Sequence, residues 1–321
     1  MKFNFDWLLH AKIVEEKEVM IIVLLIFGLL TVVSALLFVI GKLKPSTNLS
    51  ELKMRTKSWW IMSLMFIITT IFSTKISYVA IAFLSFMAFR ELYSILGFRQ
   101  SDRQAIFWAF LTIPIQYLLA YVGWYGAFII FIPVVAFLLL PLRFVLKGDT
   151  AGITKSMATL QWILMLTVFG ISHLAYLLSL HDIEGFKAGG RGLLLFVVFI
   201  TEINDVMQFA WGKMLGKHKI IPKISPNKTW EGFIGGILST TVIGYFLVFL
   251  TPMSSAQAIL VSFMVAVAGF IGDIVMSSIK RDIGVKDTGS TIPGHGGILD
   301  RIDSLAYTAP TFFHIIYYLC Y

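Results

Sequence analysis

The chain has 321 residues, of which 58% are hydrophobic and only 14% are charged, and its formal net charge at pH 7 is +8. A soluble domain of this length would need far more polar residues on its surface, and in so apolar a chain the basic charge indicates cytoplasmic loops and anionic lipid headgroups rather than nucleic-acid binding. The single cysteine, Cys320, excludes intrachain disulfides and cysteine-based metal sites or redox pairs.

Ten apolar runs predict membrane-spanning helices, since a span takes about 20 residues. They cover 19–40, 59–72, 76–89, 106–122, 126–140, 157–178, 193–211, 233–250, 256–276 and 302–318. The second and third runs are short, so they fit either two spans or one helical hairpin that turns at residues 73–75. The first 18 residues mix both charge signs and lack a signal-peptide cleavage site, so we expect an extramembrane segment there and no appended soluble domain.

The basic residues predict the orientation of these spans. If the N-terminus lies outside, the loops on the cytoplasmic side hold most of the 26 Lys and Arg residues, as the positive-inside rule requires. An error of one span would invert the later loops and spoil this segregation. The sequence therefore predicts an all-α bundle of about ten transmembrane helices whose polar segments face the cytosol.

The first of two unusual polar segments covers residues 202–232. Glu202 and Asp205 lie three residues apart at the end of an apolar run, so they share one face of a helix. An ionisable group at that depth costs several kcal/mol unless it faces a cavity, a partner or an ion. Asp205 is therefore a candidate site residue, and the alternative is an interfacial acid paired with Lys213.

The second segment, residues 272–303, is denser in charge. Asp273, Ser277 and Lys280 are spaced i, i+4 and i+7, which places an acid, a hydroxyl and a cation along one stripe of a helix. A loop rich in Gly and Pro follows. In that loop, residues 295–297 are His-Gly-Gly, and the missing side chains allow backbone N–H groups to converge on an anion.

The final apolar run opens with Asp300 and Asp303 on one helical face and Arg301 between them. Two acids beside a phosphate-sized gap are typical of a Mg²⁺ site, because Mg²⁺ prefers oxygen ligands and shares them with substrate phosphates. The alternative is a solvated basic loop before a helix that Asp300 caps.

Residues 277–303 read S-x-I-K-R-x₄-K-D-x-G-x₂-I-P-x-H-G-G-x₂-D-R-I-D. This string resembles the signature of the CDP-diacylglycerol synthase family, also called phosphatidate cytidylyltransferases. Upstream, G-K-H-K at 216–219, Pro222 and S-P-N-K-T-W-E-G at 225–232 resemble the family's second motif in the expected place. The N-terminal half resembles the family only as a set of spans.

The resemblance implies transfer of the cytidylyl group of CTP to phosphatidic acid, which gives CDP-diacylglycerol and pyrophosphate. It implies that Asp273 and Asp300 hold the metal, with Mg²⁺ as the principal ion and K⁺ as a further ion, and that Asp303 coordinates the metal or orients its ligands. It places Asp205 on the nucleotide or metal side of the pocket. The candidate contacts to phosphates and substrates are Ser225, Lys228, Thr229, Ser277, Lys280, Arg281, Lys286, His295, Gly296, Gly297 and Arg301.

The chain departs from the family pattern at two positions. Most members carry a small residue and then Tyr three and four positions after the upstream acid, whereas this chain has Gln208 and Phe209. The loss of a tyrosyl hydroxyl and the gain of an amide predict altered nucleotide or lipid headgroup contacts. The chain therefore fits a divergent branch of the family.

Three other functions compete with this interpretation. A transporter would show internal repeats and broken helices near the bilayer midplane, and the sequence has no convincing repeat. A polyprenol kinase would transfer the γ-phosphoryl group of CTP and release CDP, and the complete H-G-G-x-x-D-R-x-D string disfavours it. A relic that binds lipid without turnover is disfavoured by the intact Asp273 and Asp300.

The expected organisation follows from these assignments. Residues 1–190 form the N-terminal transmembrane helices with their loops, and residues 191–321 form the catalytic transmembrane region, with a cleft open to the cytosol and inner leaflet. The resemblance implies a homodimer. The compact chain without targeting segments predicts the bacterial inner membrane, with CTP, phosphatidic acid and membrane lipids as partners and no nucleic acid.

Overall fold

The computed structural model describes residues 17–43, 49–292 and 296–321. The predicted segment 1–18 lies outside the described residues except for Lys17 and Glu18, which begin the first helix. The N-terminal half contains α1 (Lys17–Leu43), α2 (Ser50–Phe72), α3 (Thr74–Ile95), α4 (Arg103–Val122), α5 (Tyr125–Ile130), α6 (Phe137–Val145), α7 (Ile153–Leu164) and α8 (Ile171–Tyr176). Single π-helical segments, Phe131–Ala136 and Met165–Gly170, join α5 to α6 and α7 to α8.

The C-terminal part contains α9 (Gly189–Leu215), a hairpin of β1 (Lys219–Ile221) and β2 (Ser225–Thr229), α10 (Trp230–Phe246), α11 (Ser255–Asp282), the short turn α12 (Leu299–Ile302) and α13 (Leu305–Cys320). The two strands are antiparallel, with Lys219 opposite Thr229 and Ile221 opposite Ser225. Helix dominates the described residues, which confirms the predicted all-α class; the hairpin is a small addition to it.

Each of the ten predicted apolar runs lies in a helical region. By length and composition, seven helical stretches in the described part of the chain are able to cross a membrane: Lys17–Leu43, Thr74–Ile95, Gln100–Val122, Tyr125–Val145, Ile153–Ser179, Gly189–Leu215 and Ser255–Asp282. A polytopic membrane protein is therefore confirmed, while the count of ten and the cytoplasmic side of the cleft stay predictions. The short runs at 59–72 and 76–89 are two separate helices of 23 and 22 residues, because the extended backbone of Ser73 interrupts them.

The interior and the outer surface of the bundle are both apolar. Phe89, Phe128, Phe196, Phe312 and Phe313 are fully buried, which joins both halves of the chain in one core. Large apolar side chains also cover the outside, with Leu138 and Val122 exposed by 65% and 66%. Such a surface suits lipid, because acyl chains do not require polar groups to face them.

Helices from both halves of the chain position the polar cluster described next. Helix α9 packs against α10 and α11, and α11 packs against α13. Gly272 favours the close approach of α11 to the C-terminal segment, because a Cβ there would lie 3.0 Å from the carbonyl oxygen of Asp303. Helix α3, from the N-terminal half, contacts α12. The division of the chain at residue 190 stays a prediction.

Candidate active site

Acidic side chains from α9, α11 and the start of the last helical segment meet in one cluster. Nζ of Lys228, at the end of β2, lies 2.5 Å from Oδ2 of Asp273 and donates a hydrogen bond to Oε1 of Gln208 at 3.1 Å. Asp205 lies on the same side, because its charge interacts with both Lys228 and Asp273. The hairpin therefore delivers a cation into a group of acids that belong to separate helices.

A second lysine lies on the other side of this group. Nζ of Lys280 donates to Oδ1 of Asp300 at 2.9 Å and lies 3.8 Å from Oδ2 of Asp303. Ser277, one turn earlier on α11, donates to Oδ1 of Asp273 at 3.3 Å. The stripe predicted from the i, i+4 and i+7 spacing therefore faces the acids, as helical geometry requires.

Asp300 also organises the signature loop, which we define as residues 286–298, with 286–292 and 296–298 described. Its Oδ2 accepts hydrogen bonds from the backbone N–H of Thr288 at 2.8 Å and of Gly297 at 2.9 Å, and from Oγ1 of Thr288 at 3.0 Å. Burial disfavours its charged form, but Lys280 and these donors outweigh burial and hold the pKa of Asp300 below its usual range. Because Oδ2 of Asp300 already accepts three hydrogen bonds, its Oδ1, which faces Lys280, is the oxygen more accessible to another ligand.

Asp303 experiences the opposite electrostatics. Asp303 is buried, and the negative charges of Asp273 and Asp205 disfavour its ionised form, whereas Lys280 favours it. Its Oδ1 accepts the N–H of Ser304 at 2.9 Å. A further cation beside Asp303 would therefore stabilise its charged form.

The position of Asp205 disagrees with the alternative of an interfacial acid. Its Oδ2 accepts a hydrogen bond from Oγ of Ser304 at 3.0 Å, and its Oδ1 is buried without a partner among the described residues. Lys213 instead lies over the ring of Phe209. Asp205 therefore faces the cluster rather than a surface lysine.

The donor set of the cluster fits a divalent cation in its chemistry. Among the described residues, no three Asp, Glu, His or Cys side chains are arranged to hold a metal ion as they stand, and Lys228 and Lys280 contact the acids instead. Four carboxylates nevertheless face these two lysines, and Oδ1 of Asp205 has no partner. Mg²⁺ prefers such oxygen ligands, so Asp273, Asp300 and Asp303 stay the predicted metal residues.

The remaining predicted residues lie around this cluster or apart from it. Arg301 interacts electrostatically with Glu202 and Asp205, and its Nε is buried without a partner among the described residues. Arg281 is exposed and donates from Nε to the carbonyl oxygen of Ile224 at 3.2 Å, so it fastens the hairpin to α11. Lys286 is exposed on the signature loop.

The hairpin and loop residues have local structural contacts. Oγ1 of Thr229 accepts the N–H of Gly232 at 3.1 Å and caps α10, while half-buried Ser225 begins β2. Gly296 has a φ of +81°, and a Cβ there would lie 2.6 Å from Oδ2 of Asp300. His295 lies outside the described residues, so its predicted role stays a prediction.

Sequence reasoning missed one residue at the site, Glu91. It lies in α3, where its carboxylate is buried and accepts the N–H groups of Ile298 at 3.0 Å and Leu299 at 2.9 Å. The third apolar run ends at residue 89, so Glu91 lies outside the predicted spans and outside both polar segments. The available signal in the sequence was an acid two residues after that run. In the structure the helix continues to Ile95 and includes this acid.

Comparison with known proteins supports the resemblance of the motifs. A family model described as "Cytidylyltransferase family" matches residues 53–319. The Escherichia coli (strain K12) protein YnbB, whose name states no activity, is 39% identical over 278 residues, which cover 86% of this chain and 91% of that protein.

Two staphylococcal proteins match a shorter part of the chain. The phosphatidate cytidylyltransferases of Staphylococcus haemolyticus (strain JCSC1435) and Staphylococcus aureus (strain COL) are 38% and 40% identical over 126 residues. Each match covers 39% of this chain and 48% of the staphylococcal protein.

Proposed function

The chain belongs to the cytidylyltransferase family, and we propose that it transfers the cytidylyl group of CTP to phosphatidic acid, forming CDP-diacylglycerol and releasing pyrophosphate. The observation that carries the proposal is the juxtaposition of two lysines with a group of acids: Lys228 contacts Asp273, and Lys280 contacts Asp300. Such a site offers cations to phosphate oxygens and carboxylates to a divalent ion. The names of the staphylococcal relatives support phosphatidic acid as the acceptor in this proposal.

The chemistry needs charge neutralisation more than a strong base. An oxygen of the lipid phosphate attacks the α-phosphorus of CTP, the bond to the β-phosphate oxygen breaks, and pyrophosphate leaves with that electron pair. A phosphate monoester has a second pKa near 6, so it is largely ionised at neutral pH and requires no residue to remove a proton. The protein must position the two substrates and neutralise the negative charge of their phosphates.

The cluster provides residues for each of these tasks. We assign Lys228, Lys280 and Arg301 to the phosphates, with the backbone of Gly296 as a further donor, because the N–H of Gly297 already donates to Asp300. We assign Asp205 to the nucleotide or metal side. Bound to Asp273, Asp300 and Asp303, Mg²⁺ would polarise phosphoryl oxygens and neutralise the leaving group, with K⁺ as an additional ion. Arg281, Lys286, Ser225, Thr229, Ser277 and His295 stay proposed contacts of the substrates.

The membrane setting supports a lipid substrate. An apolar bundle holds the cluster, so a lipid phosphate is able to approach it while the acyl chains remain in the bilayer. The relatives come from bacteria, which supports a bacterial inner-membrane location with the site facing the cytosol. We also propose a homodimer, on the family resemblance alone.

A transfer assay with two labels tests the proposal. Purified protein in detergent receives phosphatidic acid, Mg²⁺ and CTP labelled at the α- or γ-phosphate. We expect the α-label in a lipid product and an equal amount of labelled pyrophosphate from the γ-label. Transfer of the γ-label to lipid would instead identify a kinase, and retention of both labels in CTP would overturn an enzymatic function on this substrate.

Matched variants connect the activity to the cluster. Asp273→Asn removes an acid that contacts Lys228 without disturbing the signature loop, whereas Asp300 also holds that loop. The control is Asp282→Asn, an exposed acid nine residues further along α11. We expect D273N to lose transfer and D282N to keep it; equal activity in both variants would remove the acidic cluster from the mechanism.

A further inference from the structure

We infer that Glu91, on α3 in the N-terminal half, is a positioning residue that holds the signature loop in the shape needed for catalysis. The catalytic part of this inference rests on the proposed function. The hydrogen-bond partners of Glu91 belong to the loop region and are not residues that we assign to a phosphate, so Glu91 acts through the loop rather than on the substrate. The sequence motifs lie wholly in the C-terminal part, and none of them includes this residue.

The carboxylate of Glu91 accepts hydrogen bonds from three donors of the loop region and contacts a fourth polar group there. Oε1 accepts from the N–H of Ile298 at 3.0 Å and from Oγ1 of Thr291 at 2.8 Å. Oε2 accepts from the N–H of Leu299 at 2.9 Å and makes a longer contact of 3.5 Å with Oγ1 of Thr288. Each carboxylate oxygen faces one backbone N–H, which is an obligatory donor, so a side chain with two acceptor oxygens satisfies the site.

The loop backbone approaches this carboxylate closely, and at Gly297 it leaves no room for a side chain. A Cβ on Gly297 would lie 2.5 Å from Oε2 of Glu91, and one on Gly289 would lie 3.4 Å from Oε1. Gly297 belongs to the signature string. Its close contact with Glu91, about 200 positions earlier in the chain, is a physical reason for glycine at this position. The loop and α3 are therefore shaped to fit each other.

Glu91 and Asp300 hold the same loop from two sides. The N–H of Gly297 donates to Asp300, whereas the next two N–H groups, of Ile298 and Leu299, donate to Glu91. Oγ1 of Thr288 contacts both carboxylates, at 3.0 Å from Asp300 and 3.5 Å from Glu91. Loss of Glu91 would release one of these two attachments and leave Asp300 free to shift relative to Lys280.

The burial of Glu91 supports a specific role. A buried carboxylate costs free energy unless hydrogen bonds compensate it, and the loop supplies them. If α3 only had to pack against the loop, an apolar side chain would serve at lower cost. The carboxylate instead specifies the path of the backbone that carries Asp300 and Asp303.

The test compares three variants of the full chain in detergent. Glu91→Gln keeps the size of the side chain but places an NH₂ group against N–H donors, and Glu91→Asp keeps the carboxylate on a shorter stem. The matched control is Asp102→Asn, which changes another buried carboxylate of the N-terminal half. Asp102 accepts from the N–H of Arg99 and from Oγ of Ser156, so it stabilises the fold away from the loop.

Hydrogen–deuterium exchange measures the position of the loop independently of activity. In E91Q we expect the peptide that contains residues 296–304 to exchange about tenfold faster, which corresponds to the loss of about one hydrogen bond. D102N should leave this peptide unchanged. Wild-type exchange of the peptide in E91Q would overturn the inference.

Kinetics then separate positioning from simple destabilisation. We expect E91Q to lower kcat about 100-fold, as for a catalytic group displaced by about 1 Å, with a much smaller change in the KM for CTP. E91D should recover part of kcat, and D102N should lower the unfolding temperature without lowering kcat. An equal fall in kcat for E91Q and D102N would overturn the positioning role.

Failure of the proposed function would be recognised separately. If the wild-type protein shows no cytidylyl transfer while E91Q exchanges faster in the loop, the proposed reaction fails and the attachment of the loop by Glu91 stands. If the wild-type protein is active and E91Q matches it in both exchange and kcat, the reaction stands and the inference about Glu91 fails.

Discussion

Nζ of Lys228 lies 2.5 Å from Oδ2 of Asp273, so one ion pair joins the short hairpin to a membrane-spanning helix. Burial disfavours the ammonium, but Asp273 and Asp205 outweigh burial and raise the pKa of Lys228. The lysine therefore stays charged at neutral pH. The loop between α9 and α10 is in this way fixed to the acidic cluster rather than free in the solvent.

This ion pair predicts strong coupling between its partners. Lys228→Met should lower kcat/KM at least about 100-fold, because it removes a proposed phosphate contact and leaves Asp273 beside other acids, a loss of about 3 kcal/mol or more. A double-mutant cycle with Asp273→Asn measures the coupling. We expect the double variant to be no worse than the poorer single one; strictly additive losses would show that the residues act separately.

Gln208 is the departure from the family pattern that the structure connects to the cluster. Its side chain is buried, its Oε1 accepts from Lys228 at 3.1 Å, and its Nε2 has no partner among the described residues. Gln208→Leu should therefore lower kcat/KM about tenfold, the equivalent of one hydrogen bond to a charged group. The measurement is kcat/KM with CTP and with phosphatidic acid varied in turn.

Phe209 provides the control for Gln208. It is 67% exposed on the same helix and has no contact with the acids in the described part of the site. Phe209→Leu should change kcat/KM less than twofold. A larger effect of F209L than of Q208L would indicate that the exposed side of α9 binds the lipid.

Two adjacent cations should differ in importance. Lys280 contacts Asp300 and Asp303, whereas Arg281 is exposed and bonded to the carbonyl oxygen of Ile224. Lys280→Met should lower kcat about 100-fold or more, as expected when a charge-stabilising group is removed, and Arg281→Ala should have a smaller effect. Both kcat values come from the same transfer assay, and equal losses would show that Arg281 reaches a phosphate during turnover.

One glycine controls the packing of the helices behind the site. A Cβ on Gly244 of α10 would lie 1.8 Å from Oγ and 2.5 Å from Cβ of Ser262 on α11. Gly244→Ala should lower the free energy of unfolding by about 1–3 kcal/mol, because the two helices must separate. The measurement is thermal unfolding in detergent.

Gly28 is the matched control for this prediction. It lies inside α1 with no atom within 4 Å of a Cβ built there. Gly28→Ala should raise stability by about 0.5–1 kcal/mol, the ordinary difference in helix propensity. If both alanine variants behave alike, the close contact of α10 and α11 is absent in the folded protein.

Much of the fold follows from local sequence. A span is a continuous apolar run, so the ten runs at 19–40 through 302–318 all lie in helical regions, and the stripe of Asp273, Ser277 and Lys280 follows from the period of a helix. The two short runs were harder to assign, because the polar ends of α2 and α3 are helical but not apolar. Hydropathy reports only the part of a helix that is apolar.

The candidate site also has one part that the sequence predicts and another that depends on the tertiary structure. The sequence by itself determined the membrane class, the family and the acids and lysines of the cluster, because these depend on composition, on the helical period and on a motif continuous along the chain. Only the tertiary structure decided that Glu91 holds the signature loop, that Gln208 contacts Lys228, and that Arg281 fastens the hairpin. Those contacts join residues 20 to 208 positions apart, and such distances are fixed by how helices pack rather than by any local pattern.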